Sequence, residues 1–305
     1  MIVDHLLPVF ALIAAGAGLR RVGLTDHAFL RTGDRLIYHV FFPALLFWKI
    51  GGTPTSASLP VALWIAGVGA IVAMFALSLL LIVLARVGRY QAGAFSQATY
   101  RFNTYIAIAV VGSVLGDAGV RQLGELLGLV IPVCNILAVA ALVWFSPHSL
   151  DYRTRLRMTL RGVITNPLII ACVAGMAWAR VLPPWPTAVD NTLGLAASIT
   201  LPLALLSIGG SLTLRGLRGH LVLASMITAL KCVVLPVLGY LLLLIVNASP
   251  FETLVGMLFF AMPASTAMYV LSTQLDSDAS LSSAAIVVSI VVSFVSLSVV
   301  LVVFA

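Results

Sequence analysis

Ten blocks of apolar residues run the length of the chain, separated by short polar connections. They lie near residues 3 to 19, 35 to 50, 60 to 85, 91 to 116, 123 to 146, 163 to 181, 191 to 212, 220 to 246, 250 to 274 and 280 to 304. A membrane span needs about 20 predominantly apolar residues, somewhat fewer when tilted or buried in a bundle, so each block is expected to be a transmembrane helix. The connections leave no room for a soluble domain. Small residues from Ala14 to Gly18 give the first block some look of a secretory signal. Its amino end carries Asp4 and no Lys or Arg, so it is expected to be retained.

The chain also repeats itself. Residues 1 to 146 register without a gap on residues 160 to 305 under a shift of 159. Pro8 falls on Pro167, Gly16 on Gly175, Arg21 on Arg180, Pro43 on Pro202, Gly51 on Gly210 and Asp117 on Asp276. Most of these residues shape or interrupt backbone, so shared apolar character alone would not match them. Each half holds five spans. An odd number leaves the chain on the opposite face, so the second copy is expected upside down, the arrangement found in secondary transporters. The expected domains are a first repeat at 1–146, a basic linker at 147–162 and a second, inverted repeat at 163–305.

Composition agrees. Hydrophobic residues make up 61% of the chain and charged residues 9%, against roughly 25% charged in a soluble domain. The net charge of +7 would suggest nucleic acid in a soluble protein, but here it marks topology, and no nucleic-acid partner is expected. With the amino terminus outside, Arg20, Arg21, Arg31, Arg35, Arg86, Arg89, Arg153, Arg155, Arg157, Arg161, Arg215 and Arg218 fall in cytoplasmic connections. Lys49, Arg121 and Arg180 fall outside. That bias predicts a multi-pass inner-membrane protein with both termini on the outer side. The Arg-rich run from 151 to 161 reads as an orientation signal lying against anionic lipid rather than a binding site. Cys134, Cys172 and Cys232 each fall within a span, at no metal-ligand spacing, and read as packing residues.

The fourth and ninth blocks are interrupted. In the fourth, Arg101, Asn103, Thr104 and Tyr105 break the apolar run after about ten residues. In the ninth, Pro263, Ala264, Ser265 and Thr266 do so at the equivalent depth, residue 263 being the repeat partner of 104. Proline removes a donor and clashes with the preceding turn, and the freed carbonyls persist in a membrane only beside protein or a watery cavity. Two half-helix junctions meeting at mid-depth would offer dipoles, hydroxyls and amides to a small solute. The alternative is a pair of kinked helices whose Ser and Thr side chains bond back onto their own turns.

Arg101 adds a charge at that depth, at a cost of roughly 2.5 to 3.5 kcal/mol on insertion scales. Lys231, five residues before Pro236 in the eighth block, raises the same question. All ten acidic residues fall at or near block ends, so compensation is expected from water, carbonyls or a bound anion. The imbalance favours an anionic substrate, with snorkelling as the competing explanation. Asn135 and Asn166 either contact substrate or join helices. His39 either carries a coupling proton or packs as a neutral ring. Pro43 and Pro202 set matching kinks, and Asp117, Asp276 and Asp278 are caps, solvated charges or gating groups.

The stretches YRFNTYIAIAV, IPVCNILAV, NPLIIACVAGM, LPLALLSIGGSL, LKCVVLPVLGY and MPASTAMYVLSTQLDSDA resemble those of the auxin efflux carrier family in its bacterial form. The similarity spans the whole chain, with the motifs in order. The resemblance implies an all-α polytopic protein: ten transmembrane helices in two inverted five-helix repeats, with broken, crossing helices 4 and 9. It implies a scaffold from helices 1, 2, 6 and 7, a transport domain from helices 3–5 and 8–10, and an elevator-type movement of one against the other. Its members move organic anions, auxin-like acids or carboxylates such as malonate and malate. It also implies a homodimer through the scaffold, and no cofactor or metal. Carried over by motif, Arg101, Asn103, Thr104, Tyr105, Asn135, Pro263, Ser265 and Thr266 form the substrate site, with Lys231 as a supporting charge. The sequence departs from the pattern at Thr104, where plant relatives carry proline.

Other classes have weaker claims. A sodium-coupled symporter of the bile-acid type shares the architecture but uses intramembrane acidic groups. A channel or sensor on the same scaffold is a further alternative. An enzyme is not expected: HExxH is absent, and the aspartates are peripheral to the spans.

Overall fold

The computed structural model describes residues 2–52, 60–146, 153, 157, 160–161, 164–181, 185–212 and 217–305. Among them every regular element is helical: α1 (Ile2–Arg21), α2 (His27–Leu36), α3 (Phe42–Gly51), α4 (Val61–Leu84), α5 (Arg89–Tyr100), α6 (Thr104–Phe145), α7 (Pro167–Val181), α8 (Thr187–Ser211), α9 (Leu217–Ala229), α10 (Leu235–Ile245), α11 (Pro250–Phe260), α12 (Ala267–Gln274) and α13 (Ala279–Phe304). Of the linker expected at 147–162, Arg153, Arg157, Leu160 and Arg161 are described. Its remainder, and Arg215, lie outside the described residues.

Five of the described stretches are long and apolar enough to cross a membrane: Val61–Leu84, Arg89–Phe145, Thr187–Ser211, Gly219–Ile245 and Ala279–Phe304. Pro167–Val181 and Pro250–Phe260 are shorter apolar helices. The chain is a multi-pass helical membrane protein.

Three local features bend these helices, each with a cause in sequence. Pro43 and Pro236 cannot donate to the preceding turn and crowd its carbonyl, and each follows a widened π-helical turn, Ile37–Phe41 and Leu230–Val234. Gly116 takes φ 62° and ψ −154°, dividing α6 into two helical runs. That left-handed conformation suits glycine, which has no Cβ to clash. Elsewhere short polar side chains close the helix starts. Asp26 accepts from Phe29 N at 2.7 Å, Asn166 accepts from Leu168 N at 2.9 Å, and Ser249 with Glu252 forms a capping box.

The chain divides into two compact units. The first comprises Met1–Val61, Ile108–Leu129 and Ile164–Leu212. Here α1 packs on α8 and α3 on α7, and glycines bring the backbones together. A Cβ at Gly16 would overlap the Leu206 carbonyl, and one at Gly209 the Ile13 carbonyl. Small residues allow such close approach, which membrane helices use because lipid supplies no hydrophobic drive between them. One end of this unit carries a polar and aromatic cluster. Trp48 Nε1 donates to Asp190 Oδ1 at 2.6 Å, Lys49 Nζ to Asp117 Oδ1 at 2.6 Å, and Trp185 stacks on Trp178 with centroids 4.3 Å apart.

The second unit comprises Ala62–Ala107, Val130–Val163 and Thr213–Ala305. In it α9 and α5 pack on α13, and α10 on α11. Helix α5 is buried from Ala92 to Tyr100 although its sequence is not strongly apolar. Burial favours hydrogen bonds for its polar side chains, and Ser96, Gln97 and Thr99 make them. Ser96 Oγ lies 2.7 Å from Ser78 Oγ, and Gln97 Nε2 donates to Ser272 Oγ at 2.8 Å and to Met268 O at 3.3 Å.

Candidate functional site

Two interruptions of the helical ladder meet inside the second unit. The first separates α5 from α6 at residues 101–103, and the second separates α11 from α12 at residues 261–266. They are joined directly: Asn103 N donates to Pro263 O at 2.9 Å. A backbone carbonyl of the second break is thus satisfied by a backbone amide of the first. Phe102 packs edge to face on Phe259 with centroids 4.5 Å apart, closing the junction on its apolar side.

Each break starts a new helix, so the amino end of that helix lies at the junction. Asn103 is the cap of α6, its Oδ1 accepting from Tyr105 N and Ile106 N at 3.1 Å each. Asn103 is 1% exposed, and its Nδ2 has no hydrogen-bond partner among the described residues. At the second break Ser265 O and Thr266 O accept from Met268 N and Tyr269 N at 3.3 Å, opening α12. Ala264 N is held by Ser289 Oγ of α13 at 3.1 Å. Arg101, Thr104, Tyr105, Ser265 and Thr266 are partly exposed while Asn103, Pro263 and Ala264 are buried. Backbone therefore forms the floor of the junction and polar side chains its accessible part.

The two intramembrane cations sit at the carbonyl ends of the half-helices that precede the breaks, α5 and α11. Arg101 is the C-cap of α5, with extended φ −68° and ψ 141°. Lys231 is fully buried, and its Nζ donates to Phe260 O, the last residue of α11, at 3.4 Å. Each cation therefore stands where a helix presents its partly negative carbonyl end, worth roughly half an elementary charge. Cys134 of α6 is within electrostatic reach of both. Carbonyls, among the compensations open to the sequence reading, are what Lys231 meets.

The other expected residues fall differently. Asn135 is partly exposed on α6 next to Cys134. His39 belongs to the first unit, where Nδ1 pairs with Arg35 O of its own helix at 3.0 Å and the ring meets Tyr38 edge on. Asn166, also in that unit, caps α7. A cavity of about 120 Å³ in the first unit is lined by Gly16, Leu30, Leu203 and Leu206, with Thr25 and Ser207 as its polar members. Sequence reasoning did not single out Gln97, Ser272 or Ser289, which brace α5, α12 and the second break from behind. Nor did it single out His220, whose Nε2 lies 3.0 Å from Asp278 Oδ2. Their one sequence signal is a polar residue inside an apolar block, and many serines share it.

A model of a membrane transport protein family matches residues 151–301, about half of the chain. No curated protein matches the chain.

Proposed function

The chain belongs to the membrane transport protein family, that of the auxin efflux carriers, and from this premise we propose that it is a secondary-active carrier of small organic anions. The observation that carries the choice of anion is the polarity of the junction. Two helix amino ends, those of α6 and α12, open from breaks joined by the Asn103–Pro263 hydrogen bond. Helix amino ends attract negative charge. Lys231 offsets the opposite, carbonyl end of α11, and Arg101 stands at that of α5.

In this reading a carboxylate sits over the junction. Arg101 supplies charge, and Asn103 Nδ2, Thr104, Tyr105, Ser265 and Thr266 supply hydrogen bonds. Asn135 borders the site, and Lys231 holds α11 rather than touching the ligand. All of these residues belong to the second compact unit. That grouping supports an elevator-type cycle in which one body carries the site and the other serves as scaffold. The proposal extends to two inverted repeats, to an inner-membrane setting with both termini outside, and to a homodimer through the scaffold. Malonate, malate and auxin-like acids are the substrate classes to try first.

Melting the purified protein in detergent against mono- and dicarboxylates, indole acids, their amides and sodium tests this reading. A ligand bound by the native state alone raises stability with the logarithm of its concentration. Stabilisation by one class of carboxylate, absent with its amide, is expected. Stabilisation by sodium or neutral solutes alone would contradict it and favour a sodium-coupled symporter.

A further inference from the structure

The carboxylate of Asp278 ties together the amino ends of three helices. Its Oδ1 accepts from Leu281 N of α13 at 2.9 Å, and its Oδ2 lies 3.0 Å from His220 Nε2 of α9 and 3.4 Å from Gln91 Nε2 of α5. Its own N–H donates to Tyr90 O at 3.1 Å. The adjacent Ser277 Oγ donates to Tyr90 O at 2.9 Å and accepts from Ala94 N at 3.2 Å. Asp278 is 5% exposed and the His220 side chain 20%. The remaining ionisable groups on these elements and on α12 are Arg89, Tyr90 and the buried Tyr100 on α5, Arg218 on α9, Tyr269 on α12 and Asp276 in the turn before α13. Arg89, Tyr90, Tyr269 and Asp276 are exposed, whereas Asp278 and His220 form an ion pair when the ring is protonated.

We infer that His220 and Asp278 form a proton-binding pair, and that the proton it holds is the coupling ion of the carrier. Imidazole changes charge near neutral pH, and a hydrogen bond between charged partners is roughly twice as strong as a neutral one. Proton binding therefore tightens the bundle of α5, α9 and α13 at this end, and proton loss loosens it. Helix α5 links this event to the junction. It has 12 residues, about 18 Å at 1.5 Å each, with Tyr90 at the pair and Tyr100 next to Arg101. The coupling role rests on the carrier reading, whereas proton binding by the pair does not.

Melting of the full chain in detergent tests the pair without substrate. A histidine that gains a carboxylate partner on folding stabilises the native state at low pH, and the effect is lost as pH rises. Wild type is expected to melt ~2–4 °C lower at about pH 8.5 than at about pH 6. The difference should fall at least about twofold in Asp278→Asn, which keeps an acceptor for Leu281 N, and in His220→Gln. A flat wild-type profile, or an undiminished difference in either folded variant, overturns the inference. For coupling, proteoliposomes holding a pH-sensitive dye are given radiolabelled malonate. The acidification per malonate moved is expected to fall in Asp278→Asn, and an unchanged ratio overturns the coupling role. If wild type moves no malonate, the proposed substrate class fails, and the melting comparison still decides the pair.

Discussion

Gly51 and Gly175 approach backbone to backbone: a Cβ added at Gly51 would lie 3.5 Å from Gly175 O. The residues 159 positions away repeat the contact with roles exchanged, for a Cβ at Gly210 would lie 3.5 Å from Gly16 O. Gly16 meets the Leu206 carbonyl, and its partner Gly175 meets that of Phe47, 3.3 Å from an added Cβ. Residues 47 and 206 are again 159 apart. Contacts that interchange when the sequence halves are exchanged support a repeat folded about a two-fold axis within the first unit.

The tightest glycine approaches in this unit, Gly16 on the Leu206 carbonyl and Gly209 on that of Ile13, leave no room for a side chain. In Gly209→Ala the new methyl would overlap the Ile13 carbonyl, and backbone cannot turn aside as a side chain can. The variant is expected to lose ~2–4 kcal/mol, read as a lower melting temperature. Gly18→Ala meets nothing within 4 Å and should stay within ~0.5 kcal/mol of wild type. Equal melting of the two would contradict the packing described.

Asn103 does two jobs that substitution can separate. Asn103→Asp keeps an acceptor for Tyr105 N and Ile106 N but replaces the Nδ2 donor with negative charge. It should fold and lose stabilisation by carboxylates. Asn103→Ala should cost ~1 kcal/mol through the lost cap, read by thermal melting without ligand. Retained carboxylate stabilisation in Asn103→Asp would remove the junction from the binding site.

The two buried cations should also separate. Lys231→Met replaces a buried ammonium bonded to Phe260 O with an apolar chain of similar length, a change that need not destabilise. It should keep at least about half of the carboxylate-induced melting shift. Arg101→Gln should lose most of it. The reverse order would make Lys231 the ligand contact and Arg101 the helix support.

The sequence makes the positions of the breaks legible, because a polar cluster at 101–105 and a proline at 263 interrupt otherwise apolar runs. It does not show that the breaks differ in length. Asn103 ends the first gap, 101–103, and caps α6, whereas its repeat partner is Met262, whose side chain has no oxygen to offer, and the second gap runs from 261 to 266. The location of charge was readable from Arg101 and Lys231, but not the contact of Lys231 with Phe260 O across 29 positions. His39 stood out as a histidine within a span. His220 lies at a helix start and pairs with Asp278 across 58 positions, a distance at which no local periodicity reports contact.

The most direct test of the central claim is exchange of labelled malonate across proteoliposomes preloaded with unlabelled malonate or malate, set beside the same experiment with malonamide inside. A carrier with an anion site at the Asn103–Pro263 junction predicts accumulation of label driven by internal carboxylate, none driven by the diamide, and at least about a tenfold loss in Arg101→Gln, the rate cost of roughly 1.4 kcal/mol of lost binding. Equal exchange with the diamide, or exchange unaffected by Arg101→Gln, would contradict it.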